Sequence, residues 1–281
     1  ATAETLELYR MRHGAAARDS VLHAVPYSQS WELAGARLTA LPSAHILGAA
    51  QLLVEWRGSR ILYTGDIKMR LPLCGRATET VCADRLIVES TFGLPVFHFL
   101  DREEARQRIV DFARSCLAEK RVPVFLAHEL GRGQELVHVL CQAGVPVLAH
   151  PLIAQFLPIY AAAGFAAPGW ALFEGELHGG AALVIPPCLR SSPPARGPRK
   201  RLAYVSGWAA LDNARARTGA EELIPYPDHA DFSELLALVE ATGTSEVDVV
   251  HGYSEAFARI LTLRGILARA PERSRAPEEN G

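Results

Sequence analysis

A chain of 281 residues is long enough for two domains or one large one, so peptide-scale and disulfide-stapled classes are excluded. Hydrophobic residues at 49%, charged residues at 21% and aromatics at 7% exclude a wholly disordered or fibrous chain. Lys and Arg number 29 against 31 Asp and Glu, a net charge of -2, so any polyanion-binding surface must be local.

Cysteines 74, 82, 116, 141 and 188 are odd in number and include no C-x-x-C pair. This argues against a disulfide framework or a thiolate zinc site and fits a reducing cytoplasm. No secretory signal pattern is visible at Ala1. The uncharged stretch 151–173 is interrupted by Pro158, Gly164, Pro168 and Gly169, which predicts a buried helix and loop rather than a membrane span.

Periodicity predicts alternating strands and helices. Residues 37–42 read as a strand running into Ser43-Ala44-His45. Segments 51–56 and 60–64 alternate about the Arg57-Gly58-Ser59 turn, a hairpin that ends at Gly65-Asp66. A short strand follows at 85–89. Asp101 and Glu104 have capping-box spacing, and Ala105, Ile109, Phe112 and Cys116 share a helical face, which predicts a helix over 102–119. Next come a strand at 122–126, a helix at 133–142, a strand at 145–149 and a helix at 152–163. The stretch 186–200, rich in Pro and cations, reads as a loop, and a strand follows at 202–206. Asp231 and Glu234 form a second capping box, Phe232, Leu235, Leu236 and Val239 share one face, and Gly243 is the stop. Residues 246–250 are a strand ending at His251, and the polar tail from Arg269 predicts disorder.

Three potential metal ligands, His45, Asp66 and His251, each stand just past a predicted strand, where loops carry function on a rigid scaffold. Taken singly, each is more often a hydrogen-bonded structural residue. The cations Arg196, Arg199, Lys200 and Arg201 suit either a phosphate backbone or a solvated loop. Gly131-Arg132-Gly133 lacks the Gly-Lys-Ser/Thr of a phosphate loop, which argues against ATP binding.

Longer segments alter those odds. Ser43-Ala44-His45-Ile46-Leu47-Gly48-Ala49-Ala50, Tyr63-Thr64-Gly65-Asp66, Leu86-Ile87-Val88-Glu89-Ser90-Thr91-Phe92-Gly93, Pro227-Asp228-His229-Ala230-Asp231 and Val249-Val250-His251-Gly252 resemble, in order, motifs of the metallo-β-lactamase-fold nucleases with a β-CASP domain. Leu130-Gly131-Arg132-Gly133-Gln134-Glu135-Leu136 resembles the glycine turn of that inserted domain. Asp228-His229-Ala230-Asp231 and Ser206-Gly207-Trp208 look most like the bacterial branch of exonucleases associated with an ATP-dependent DNA ligase.

The resemblance implies an α/β metallo-β-lactamase αββα sandwich, lacking its N-terminal strands, with an inserted α/β β-CASP domain. Its boundaries would be 1–94 and 204–268 for the sandwich, 95–203 for the insert and 269–281 for a disordered tail. It makes His45 a ligand of a first zinc, Asp66 the bridging carboxylate and His251 a ligand of a second zinc. His229 becomes the non-ligand histidine that contacts the scissile phosphate or protonates the leaving oxygen, and Glu89 the carboxylate that orients it. Arg196, Arg199, Lys200, Arg201 and Ser206 fall to nucleic-acid binding.

The implied activity is a zinc-dependent exonuclease holding two Zn2+, with Mn2+ as an alternative, acting on DNA in cytoplasmic repair beside an ATP-dependent DNA ligase or helicase, without a membrane. The alternatives are an RNA-processing nuclease of the same fold and an inactive nucleic-acid-binding scaffold. The family signature H-x-H-x-D-H does not occur in the chain. The expectation is that it precedes Ala1, and that without it the chain is inactive and binds zinc weakly.

Overall fold

Short apolar runs assemble into two sheets in two units of the computed structural model, which describes residues 1–99, 101–177 and 180–271. The first unit holds Ala1–His98 and resumes at His229; the second is Phe99–Asp228.

The first unit opens with helix α1 (Ala3–His13) and strands β1 (Ser30–Leu33), β2 (Ala36–Pro42), β3 (Ala50–Trp56), β4 (Ser59–Tyr63) and β5 (Arg85–Glu89). The second unit comprises α2 (Arg102–Ala118), β6 (Val122–Leu126), α3 (Arg132–Gln142), β7 (Val147–Ala149), α4 (Pro151–Ala154), α5 (Leu157–Ala162), β8 (Trp170–Leu172), β9 (Ala182–Ile185), β10 (Lys200–Val205), α6 (Ala214–Thr218) and β11 (Glu222–Ile224). The chain then returns to the first unit through α7 (Phe232–Thr242), β12 (Glu246–Val250), α8 (Ser254–Leu263) and β13 (Leu267–Arg269).

In the first unit the sheet order is β1-β2-β3-β4-β5-β12-β13. On one face of the central strands Leu86, Val88, Val247 and Val249 are fully buried, and Leu235, Leu238, Phe257 and Leu261 of α7 and α8 pack in the same core, while Arg85 and Ile87 on the other face are partly exposed. β2 and β4 are each antiparallel to β3, while β5 runs parallel to both β4 and β12. Strands β2, β4, β5 and β12 therefore point the same way, and the segments leaving their C-terminal ends open on one edge of the sheet. Those segments begin at Ser43, Thr64, Ser90 and His251, so the pattern legible in the sequence has a topological cause.

The second unit is a parallel sheet in the order β11-β10-β6-β9-β7-β8. Its polar core is centred on Arg132, 1% exposed, which pairs with Glu135 at 2.7 Å and with Asp228, and whose guanidinium lies 4.1 Å from the Tyr226 ring centre. A buried arginine is tolerable only with such partners.

Several expectations differ from this arrangement. The second unit reaches Asp228 rather than ending at 203, because β10 aligns Lys200 with Val122 and β11 extends the same sheet. Among the described residues the first unit holds one sheet, so the second sheet of an αββα sandwich is not among them. The expected helix 152–163 is broken into α4 and α5 ahead of Pro158. Asp101 caps α2 through the Glu103 N–H at 2.7 Å, not through a box with Glu104. Arg269, expected to start the tail, ends β13 and donates to Asp248 at 2.6 Å; residues 272–281 lie outside the described residues. No helix among the described residues is long and apolar enough to cross a membrane.

Candidate active site

His45 is aimed by a strained turn. Ala44 just before it is buried with φ +55°, a left-handed conformation that costs a non-glycine residue about 1–2 kcal/mol. The turn is held by the Ser43 N–H on Ala49 O at 3.2 Å and the Lys68 N–H on Ser43 O at 2.9 Å, the latter tying the His45 loop to the Asp66 loop. Behind it, the Thr2 and Thr5 hydroxyls both donate to the Gly48 carbonyl at 2.7 Å. Gly48 has φ +80°, and a Cβ there would lie 2.7 Å from the Thr5 nitrogen, so only glycine lets α1 close on the loop.

Glu89, the last residue of β5, is fully buried and organises the site. Its Oε1 accepts from His229 Nδ1 at 2.8 Å and from the Ile67 N–H at 3.2 Å, and its Oε2 accepts from the Thr91 N–H at 2.6 Å. Burial pushes its carboxyl up, but the facing His229 charge and the hydrogen bonds from His229 and Thr91 outweigh burial and bring it down to about 2. A carboxyl whose folded value is depressed stabilises the fold fully above its unfolded value, near 4.5, and that contribution is lost as pH falls toward 2. Glu89→Gln should therefore flatten the acid limb of stability, narrowing its gap to the parent by up to roughly 3 kcal/mol between pH 6 and pH 2 in urea unfolding.

His229 Nδ1 donates to Glu89, which fixes the plane of the ring at the site. The ring stands 4.6 Å from that of His45, tilted by 48°. His45 Nε2 is 3.7 Å from Asp66 Oδ2, and the candidate ligand atoms of His45, Asp66 and His229 all lie within 4.8 Å of one another. Two donors at about 2.0–2.2 Å from one zinc ion can be at most about 4.4 Å apart. The His45–Asp66 pair lies within that span, so these two donors fit one ion, and the His229 ring stands beside them. Asp66 is about half exposed, so a ligand has access.

The sequence-predicted residues His45, Asp66, Glu89 and His229 are thus brought together. His251 is not part of the gathered trio; it is exposed at the same sheet edge with φ +53°, and its carbonyl accepts from Ser90 Oγ at 2.6 Å. Asp231 caps α7 in a reciprocal box with Glu234, as its spacing predicted. One residue that motif reading missed is Arg70, which donates to both Asp231 and Glu234. Nothing local announces a contact across such a sequence distance.

The cationic segment belongs to the second unit and is largely engaged in its own fold. Arg196 donates to the carbonyls of Arg190, Thr218 and Gly219, and Lys200 to that of Pro193. Arg201 pairs with Glu221 at 3.0 Å and Glu119 at 3.5 Å, with its guanidinium 5.3 Å from the Phe112 ring. Arg199 is exposed, and the Ser206 hydroxyl accepts from the Trp208 N–H at 3.3 Å as a helix cap. A phosphate contact from Arg196 or Lys200 would compete with bonds that shape the loop.

No family model matches the chain. It is 34% identical over 252 residues to a probable DNA ligase of Opitutus terrae, across 88% of this chain and 25% of that protein. It is 32% identical over 126 residues to the endoribonuclease ysh-1 of Neurospora crassa, across 43% of this chain and 14% of that one. The chain is a relative of the β-CASP metallo-β-lactamase nucleases. The chain spans a quarter or less of the length of these two relatives. A solved protein of unknown function from Enterococcus faecalis shares its fold, with TM-score 0.66 and 12% identity over 98% of this chain and 74% of that one.

Proposed function

We propose that the chain carries part of the catalytic apparatus of a metal-dependent nuclease of the metallo-β-lactamase fold with an inserted β-CASP domain, acting as a DNA exonuclease in cytoplasmic repair. The observation that carries this reading is the pairing of half-buried His229 with the buried Glu89, 2.8 Å apart, beside His45 and Asp66. His45 and Asp66 would hold a divalent ion, with His251 on the second of two, zinc or manganese. Such an ion supplies Lewis-acid polarisation of a phosphoryl oxygen and an acidified water.

The protein's own part is proton transfer and orientation. Glu89 accepts at Nδ1, fixes the ring of His229 and favours its protonated form, so that Nε2 can deliver a proton to the leaving oxygen. The depressed Glu89 carboxyl remains ionised across the working range and holds that proton on the imidazole without taking it.

DNA as substrate, and a ligase as partner, are supported by the match over 88% of this chain to part of a protein named a probable DNA ligase. An RNA substrate is the second reading, supported by the shorter match to an endoribonuclease. The test uses the full gene product with end-labelled DNA and RNA of one sequence, in Zn2+ or Mn2+. Stepwise shortening of DNA is expected; internal cuts in RNA alone would favour the second reading. A metal-loaded protein that binds both and cuts neither would mark a scaffold.

A further inference from the structure

We propose that Arg70 is a positioning residue that sets the spacing between the Asp66 loop and His229; this deepens the reading above and rests on it. Arg70 Nε donates to Glu234 Oε1 at 2.7 Å and its Nη2 to Asp231 Oδ2 at 2.8 Å. Those two carboxylates are the capping box of α7: Asp231 Oδ1 accepts from the Glu234 N–H at 2.9 Å, and Glu234 Oε2 accepts from the Asp231 N–H at 3.0 Å. Each acid gives one oxygen to the helix start and the other to Arg70.

Both strands of this clamp lead to the site. Ala230, between His229 and Asp231, donates its N–H to the Ile67 carbonyl at 2.7 Å. Ile67 follows Asp66 directly, and its own N–H donates to the Glu89 oxygen that also accepts from His229. Segment 66–70 and segment 229–234 are therefore joined at both ends, by Glu89 and the Ile67–Ala230 bond beside the reacting groups and by Arg70 at the helix.

The chemistry of the clamp requires arginine. A planar guanidinium addresses two carboxylates at once, whereas an ammonium is a point charge that satisfies one geometry at a time. The fork is screened from water, with the Asp231 side chain 1% and the Arg70 side chain 20% exposed. Without it, α7 still starts, because the capping box survives. What is lost is the tether between the two segments, and a displacement of about 1 Å between reacting groups is enough to cost a site most of its effect.

The test compares Arg70→Gln and Arg70→Lys with the parent by two readings. One is the NMR signal of the His229 Nδ1–H bonded to Glu89, with its solvent-exchange rate; the other is Mn2+ affinity by titration. Both variants are expected to fold with a slightly lower Tm, to exchange the His229 proton at least tenfold faster and to bind Mn2+ at least tenfold more weakly. Asp231→Asn keeps a good cap but loses the ion pair, so it should reproduce the change, and combining it with Arg70→Gln should add little. A lowered Tm with the His229 exchange rate unchanged would overturn the proposal. Should Arg70→Gln not fold, Glu234→Gln, which removes one arm of the fork, carries the same readings. The proton signal requires neither metal nor nucleic acid, so an inactive parent would sink the nuclease reading while this result still decides the role of Arg70.

Discussion

On the proposed nuclease reading, replacing His229 with Ala is expected to slow phosphodiester hydrolysis by about 10²- to 10⁴-fold while metal content stays at the parent level. The size follows from removing a proton donor held in register by a fully buried carboxylate. Retention of metal is expected because His45 and Asp66, 3.7 Å apart, lie within reach of one ion without His229. His251→Ala is the counterpart, expected to lose metal first. If metal analysis instead found His229→Ala emptied and His251→Ala full, the two histidines would exchange roles.

Gly252→Ala destabilises the first unit by about 3 kcal/mol or more. A Cβ at Gly252 would lie 2.3 Å from the Ser90 carbonyl oxygen and 2.5 Å from Thr91 Cα, both backbone and unable to turn aside. The same segments are bonded through the Tyr253 N–H on Ser90 O at 2.9 Å and Ser90 Oγ on His251 O, so they cannot part cheaply. Gly243 supplies the control, with φ +64° against +61° at Gly252 but nothing within 4 Å of its added Cβ. Gly243→Ala should cost only about 1 kcal/mol, the conformational share alone. Urea unfolding of both variants separates crowding from backbone strain, and equal losses would refute the crowding account.

Where a strand is an apolar run bounded by turn residues, the sequence was sufficient: 85–89 and 122–126 coincide with β5 and β6. β9 is an equally buried run, Ala182–Ile185, but only four residues long and ending against Pro186, and no predicted element covers it. α8 was missed although Phe257, Ala258 and Leu261 mark a buried face, because no capping side chain announces its start. At the site, His45, Asp66, Glu89 and His229 were legible because each is embedded in a recognisable local motif. Arg70 was not, since its partners become visible only when the fold brings residue 70 to the start of α7. The roles of Arg196 and Lys200 were hidden for a related reason: composition counts cations but does not reveal which carbonyls they meet.

The anchoring of the site by Glu89 bears on how metal would come and go. His229 and the Asp66 loop are held by protein hydrogen bonds to one buried carboxylate, so the folding of the first unit already supplies much of the order a metal would otherwise impose. In small zinc domains the ion and the fold are one equilibrium, and a chelator unfolds the chain. With these bonds in place the unit would fold without the ion, so EDTA is expected to strip the ion and remove only the stabilisation its binding adds, leaving the chain folded. Exchange between zinc and manganese would then proceed in the folded state, with occupancy governed by the metals available around the protein rather than by its folding history.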